Sequence, residues 1–181
     1  MSVPKSKRSV SKLEFFHNAY QLRKAITVLL LKDFGIRDKV RNIRAYVAVN
    51  KFDASDREEF LRLCDKYNVN DSVLEAYPTW LLNHFRTILI DQMNTLINNI
   101  TYANSVYPTR EMEYDQRRAF QNRAIANCYQ ILQSMQYVIS ILPVDAEKYM
   151  PYVAMVDREI ALLKGWRKSD NKILKGIKER K

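Results

Sequence analysis

Side chains able to act as nucleophile, general base or metal ligand near neutral pH are scarce: the chain has two histidines, His17 and His84, and two cysteines, Cys64 and Cys128. Neither histidine is expected to be linked to another histidine, a cysteine or a carboxylate in a metal-binding helical pair, and the Glu-x-x-His pattern that di-iron bundles require is not expected. The Arg-x4-His arrangement of one helical ribonuclease family is also absent. With glycine only at 35, 165 and 176, there is no Gly-rich phosphate loop and no nucleophile elbow. No catalytic residue, metal or cofactor is expected, and both histidines should face solvent or a partner.

What the sequence does supply is cations. Arg110, Arg117, Arg118 and Arg123 stand in one stretch, and a guanidinium fork grips phosphate oxygens from two directions. For Arg110, Arg117 and Arg118 the alternative is pairing with the nearby acids Glu111, Glu113 and Asp115. Tyr107 and Tyr114 beside them could stack on unpaired bases or could pack into a core. A second cluster is Gly165-Trp166-Arg167-Lys168-Ser169-Asp170, where the tryptophan either supports two phosphate-seeking cations or fastens its helix. Lys164, Lys172 and Lys175 flank it, and Lys5, Lys7 and Arg8 stand at the other end of the chain. These twelve bases are the candidate nucleic-acid contacts.

Positioning them requires helices. From Arg110 to Leu142 the residues Phe120, Ala124, Cys128, Ile131, Met135, Val138 and Leu142 step by three or four, which makes one apolar stripe. Arg117, Arg118, Gln121, Asn122 and Arg123 read as the surface of its basic, amide-rich end. A helix of this length spans about 45 Å and needs companions as long to bury its stripe. Pro143 ends it. Companions are legible as Phe15, Ala19, Leu22, Ile26 and Leu29, capped by Ser11 and stopped at Gly35, and as Leu82, Phe85, Leu89, Met93, Leu96, Ile100 and Ala103 between Pro78 and Val106. The latter helix shows Asn94, Asn98, Asn99 and Asn104 on its expected outer face. Asp145 can cap a fourth, bearing Val153, Val156, Ile160 and Leu163.

The fold class expected is all-α: an antiparallel four-helix bundle over residues 11–168, with a helical insertion at about 36–76 between the first two bundle helices. In the insertion, Asp53 or Ser55 can cap a short helix whose Phe60, Leu61 and Cys64 share one side. Residues 1–10 form a basic arm and 169–181 a basic tail, the latter expected to fray in isolation despite Ile173, Leu174 and Ile177 at helical spacing. The net charge of +10 resides entirely in residues 1–12 and 164–181, with the body balanced at 18 bases against 18 acids. Basic ends suit a polyanion, although they also serve solubility. No apolar run of the kind a secretory leader needs follows the basic first dozen residues, and no run approaches eighteen apolar residues, so neither a leader nor a membrane span is expected, and a reducing cytoplasm suits the two cysteines.

Val3-Pro4-Lys5-Ser6-Lys7-Arg8, Ala103-Asn104-Ser105-Val106, Arg118-Ala119-Phe120-Gln121 with Ala124, and Leu163 through Asp170 occur in an order that resembles the accessory variability determinant family. These are four-helix-bundle proteins that accompany the reverse transcriptases of diversity-generating retroelements. The resemblance covers residues 1–32 and about 80–172; the insertion departs from it. It implies a homopentamer without an active site, which binds reverse transcriptase and template RNA and could also hold cDNA, to support mutagenic cDNA synthesis. The alternative is an oligomeric protein-interaction scaffold with no nucleic-acid role.

Overall fold

The computed structural model describes residues 13–35, 53–67 and 77–179, and every regular element among them is helical. The expected basic arm with Lys5, Lys7 and Arg8, the expected Ser11 cap and residues 36–52 and 68–76 of the expected insertion lie outside the described residues. In order come α1 (Glu14–Leu31), α2 (Ala54–Lys66), α3 (Thr79–Ser105), α4 (Glu111–Ile141), α5 (Met150–Ser169) and α6 (Asn171–Lys178), with 3-10 turns at Asp33–Gly35 and Ala146–Tyr149. No helix among the described residues is long and apolar enough to cross a membrane.

The stripes read from the sequence form one core. Phe15, Ala19, Leu22, Ile26 and Leu29 of α1 are buried with the seven expected positions of α3. Ala124, Cys128, Ile131, Met135 and Val138 of α4, and Val156, Ile160 and Leu163 of α5, complete it. Each large side chain removed from water contributes about 1.5–3 kcal/mol, which ties the long helices together. Their directions follow from cross-helix pairs. Asn99 donates to Asn127 at 2.7 Å, and seven residues back on α3 and seven forward on α4, Gln92 donates to Ser134 at 2.9 Å, so the two helices are antiparallel. Arg23 meets Asn94 while Phe34, beyond the end of α1, meets Phe85, which makes α1 antiparallel to α3. Phe15 near the start of α1 stacks on Trp166 near the end of α5, so this pair is antiparallel too.

Three expectations are corrected here. Asn99 is buried between α3 and α4 rather than on an outer face, because Asn127 supplies the bond that its amide needs. Gln121, read as surface, is fully buried, whereas Phe120 is only half-buried. Residues 171–178, expected as part of a tail, form α6, with Ile177 buried. Helix α2 is capped by Asp53, whose Oδ1 accepts from the Asp56 amide at 2.8 Å, and its stripe of Phe60, Leu61 and Cys64 is half-buried.

The stop after α1 is more constrained than one glycine suggests. Asp33, Phe34 and Gly35 have φ of 50°, 59° and 73°, so two residues with side chains share the left-handed region. The surroundings hold them there. Phe34 is fully buried edge-on against Phe85 at 6.2 Å, its carbonyl accepts from the Tyr149 hydroxyl at 3.0 Å, and the Gly35 carbonyl accepts from Lys148 Nζ. Tyr149→Phe should therefore cost about 1–2 kcal/mol in chemical denaturation, by leaving a buried carbonyl unpaired.

Candidate nucleic-acid interface

The buried stripe of α4 does not end where its apolar residues end. Counting back from Cys128 by the same steps gives Ala124, Gln121, Arg117 and Tyr114, so the register that packs the core continues in polar side chains. They receive the junction between α5 and α6. Arg117 donates from Nε and one terminal nitrogen to the two carboxylate oxygens of Asp170 at 2.6 and 3.2 Å, and from its other terminal nitrogen to the Val106 carbonyl at 3.0 Å. Gln121 donates to the same carboxylate at 2.7 Å, and Tyr114 donates to Asn171 at 3.1 Å. Above this cluster Trp166 lies 5.1 Å from the Arg117 guanidinium and stacks on Phe15 with ring centres 4.1 Å apart.

Arg117 is thus spent. Its side chain is 11% exposed and Asp170 only 6%, so the pair fastens α6 and Arg117 offers no surface to a phosphate. Tyr114 belongs to the same buried cluster rather than to a stacking platform. Arg110 sits exposed just before α4, where Glu113 reaches back to accept from the Thr109 amide and hydroxyl and from the Arg110 amide at 2.7, 2.8 and 3.1 Å. Those bonds, the Thr109 amide first, hold the Glu113 carboxyl below its usual range.

The remaining cations are presented outward. Arg118 donates to the Arg167 carbonyl at 2.7 Å, and Arg167 donates to Asn122 at 2.9 Å. Arg123 lies over the Phe120 ring at 5.4 Å, and Lys164 donates to the Tyr129 hydroxyl at 3.0 Å. Each is oriented by a neutral group. Among the described residues none of these four, nor Lys168 or Lys172, has a carboxylate within 4.0 Å. Lys175 pairs loosely with Glu179 at 3.8 Å and Lys178 with Glu111 at 3.9 Å, both well exposed, and such pairs contribute little.

These bases share a line. Asp170 keeps helical backbone angles of −68° and −15°, so α5 runs almost continuously into α6. Lys164, Lys168, Lys172, Lys175 and Lys178 step along that rod by four, four, three and three, and all are exposed. The row spans about 21 Å, with Arg118 of α4 beside its middle at Arg167 and Asn171, whereas Arg123 follows Phe120 toward Tyr102 of α3 and stands off the row. Lys178 belongs to this set although sequence reading passed over it; its three-residue step from Lys175 was the available signal. Asn122 and Tyr129, which hold Arg167 and Lys164, depend on how α4 and α5 align and carried none.

The side chains scarce in the sequence are placed apart. His17 and His84 are exposed on α1 and α3, Cys128 is buried in the core, and Cys64 is half-buried on α2. Contrary to the expectation for the histidines, Glu14 and His17 do stand once at Glu-x-x-His spacing, but the Glu14 carboxylate takes a bond from Arg158 at 2.9 Å. Among the described residues no three of His, Cys, Asp and Glu come together in a way that could hold a metal. Comparison of the chain with protein-family models, with curated proteins and with solved structures gave no match.

Proposed function

We propose that this protein is a non-catalytic accessory subunit that binds RNA along the α5–α6 lysine row, in the manner expected of the partner of a reverse transcriptase in a diversity-generating retroelement. In this reading α1, α3, α4 and α5 are an antiparallel four-helix bundle, α2 belongs to an insertion, and the subunit assembles as a homo-oligomer, a pentamer by the resemblance. The observation that carries the RNA reading is the exposed row from Lys164 to Lys178, flanked by Arg118. Such a row meets a phosphate backbone without reading its sequence.

The test is RNA affinity measured by fluorescence anisotropy over a range of salt. Five lysines on single-stranded RNA give a slope of log affinity on log salt of about −3.5, and Lys168→Gln with Lys172→Gln and Lys175→Gln should reduce its magnitude by about 2. A flat slope, or a slope indifferent to the triple substitution, would sink the proposal.

A protein-only scaffold is the second reading. It is favoured by large apolar side chains exposed away from the basic row: Leu31 at 78%, Trp80 at 67% and Met150 at 61%. It requires that loss of the lysines leave all partner binding intact.

A further inference from the structure

Glu159 is wholly shielded from solvent on the inner side of α5. Its Oε2 accepts from Asn18 Nδ2 of α1 at 2.8 Å, and the same amide donates to the Met155 carbonyl at 3.2 Å. Its Oε1 has no partner among the described residues. Outside this point the seam between α1 and α5 opens into a groove of about 480 Å³, lined by Glu14, His17, Asn18, Gln21, Met155 and Arg158. Asn18 is therefore the side chain that both walls the groove and holds the buried acid.

The surroundings favour the neutral acid. A buried carboxylate with an unsatisfied oxygen is far costlier than its protonated form, and burial pushes Glu159 up to about 8, with the Asn18 bond pulling the other way. The ionisable groups facing it are few. From α4 comes the Cys128 thiol, itself pushed up by burial and then by Glu159. From α1 come Glu14 and His17 at the groove, and Arg158 of α5 is taken by Glu14 at 2.9 Å. The buried residues of α3 include no ionisable side chain.

We propose that Glu159 is a proton-operated latch on the α1–α5 seam: protonated, it holds Asn18 and keeps α1 closed on α5; when its proton passes to solvent, water enters along the groove and the seam loosens. The consequence reaches the basic row. Phe15, one turn before Asn18, stacks on Trp166, and Trp166 lies against Arg117, which grips Asp170 at the foot of α6. The latch itself does not depend on the RNA reading, so it can be tested without RNA.

The experiment uses the full chain with Trp80→Phe, so that emission reports Trp166 alone. Between pH 6 and 9.5 the emission should shift to the red, and amide protection in α1, corrected for intrinsic exchange, should fall at least threefold, both with a midpoint near 8. In Glu159→Gln both changes should vanish, and in the parent chain the Glu159 carboxyl carbon should titrate with the same midpoint in NMR. Persistence of the transition in Glu159→Gln, a flat response in the parent, or a Glu159 carboxyl that titrates in the usual range would each overturn the latch.

Discussion

Arg117→Ala should unlatch α6 and strip amide protection from residues 171–178, while the core helices stay protected. The substitution removes the cation from a carboxylate that is 6% exposed and leaves only Gln121 to answer it. Breaking one side of a buried pair costs about 3–5 kcal/mol when the stranded charge must stay buried. Here the charge has an escape, because Asp170 sits at the helix junction and can carry α6 outward into water. What α6 forfeits is the burial of Ile177 and the Tyr114–Asn171 bond, so the global melting temperature should fall by less than the broken pair implies. The second substitution decides the cause. Asp170→Asn in the Arg117→Ala background removes the stranded charge and should restore part of the protection; no restoration would refute the ion pair as the fastener. If Arg117 were instead a phosphate ligand, Arg117→Ala would weaken RNA binding with α6 still docked. The same experiment thus separates a structural arginine from the outward ones, Arg118 and Arg123.

The long helices were legible because apolar residues at three- and four-residue steps have few other ways to be buried, and the stripes from Phe15, Leu82 and Ala124 all lie in the core. The polar extension of the α4 stripe was not legible by that rule. Gln121 and Arg117 look like surface residues until the register is followed back from Cys128, and only the Asp170 carboxylate, arriving from 53 residues away in sequence, makes burying Arg117 affordable. Asn99 was misplaced for a related reason: an amide on a helix face is outward by default, and Asn127 overrides the default. The docking of α6 shows the opposite case. The spacing of Ile173, Leu174 and Ile177 was visible, but its partner surface, Tyr114 and the Arg117–Asp170 clamp, belongs to tertiary structure. The exposed lysines are a matter of helical phase, which the sequence states once Asp170 is known to continue the rod.

Glu159→Gln should stabilise the protein at pH 7.5 by about 1–3 kcal/mol, an effect that shrinks and then reverses on acidification. In the unfolded chain the carboxyl ionises near its ordinary value of 4.5; in the folded chain it holds its proton up to about 8. A group whose folded value is raised contributes stability that is whole below the unfolded value and is lost as pH rises through the folded one. The parent chain therefore gives up about 1.4 kcal/mol per pH unit between those limits, on the order of 4 kcal/mol at pH 7.5. Glutamine avoids that loss because it has no proton to keep. It keeps the acceptor for Asn18, but adds a buried amide nitrogen whose unmet bonds take back part of the gain, which sets the lower net figure. Urea unfolding at pH 5 and at pH 7.5 reads the result directly: at pH 5, where the parent has lost only about 1 kcal/mol, the amide penalty should leave the variant level with the parent or less stable by up to about 2 kcal/mol, and the difference should swing by about 3 kcal/mol in the variant's favour by pH 7.5. Equal stabilities at both pH values would mean that Glu159 finds water or a cation that shields its charge. A destabilised variant at pH 7.5 would mean that the ionised carboxylate is itself part of what holds α1 to α5.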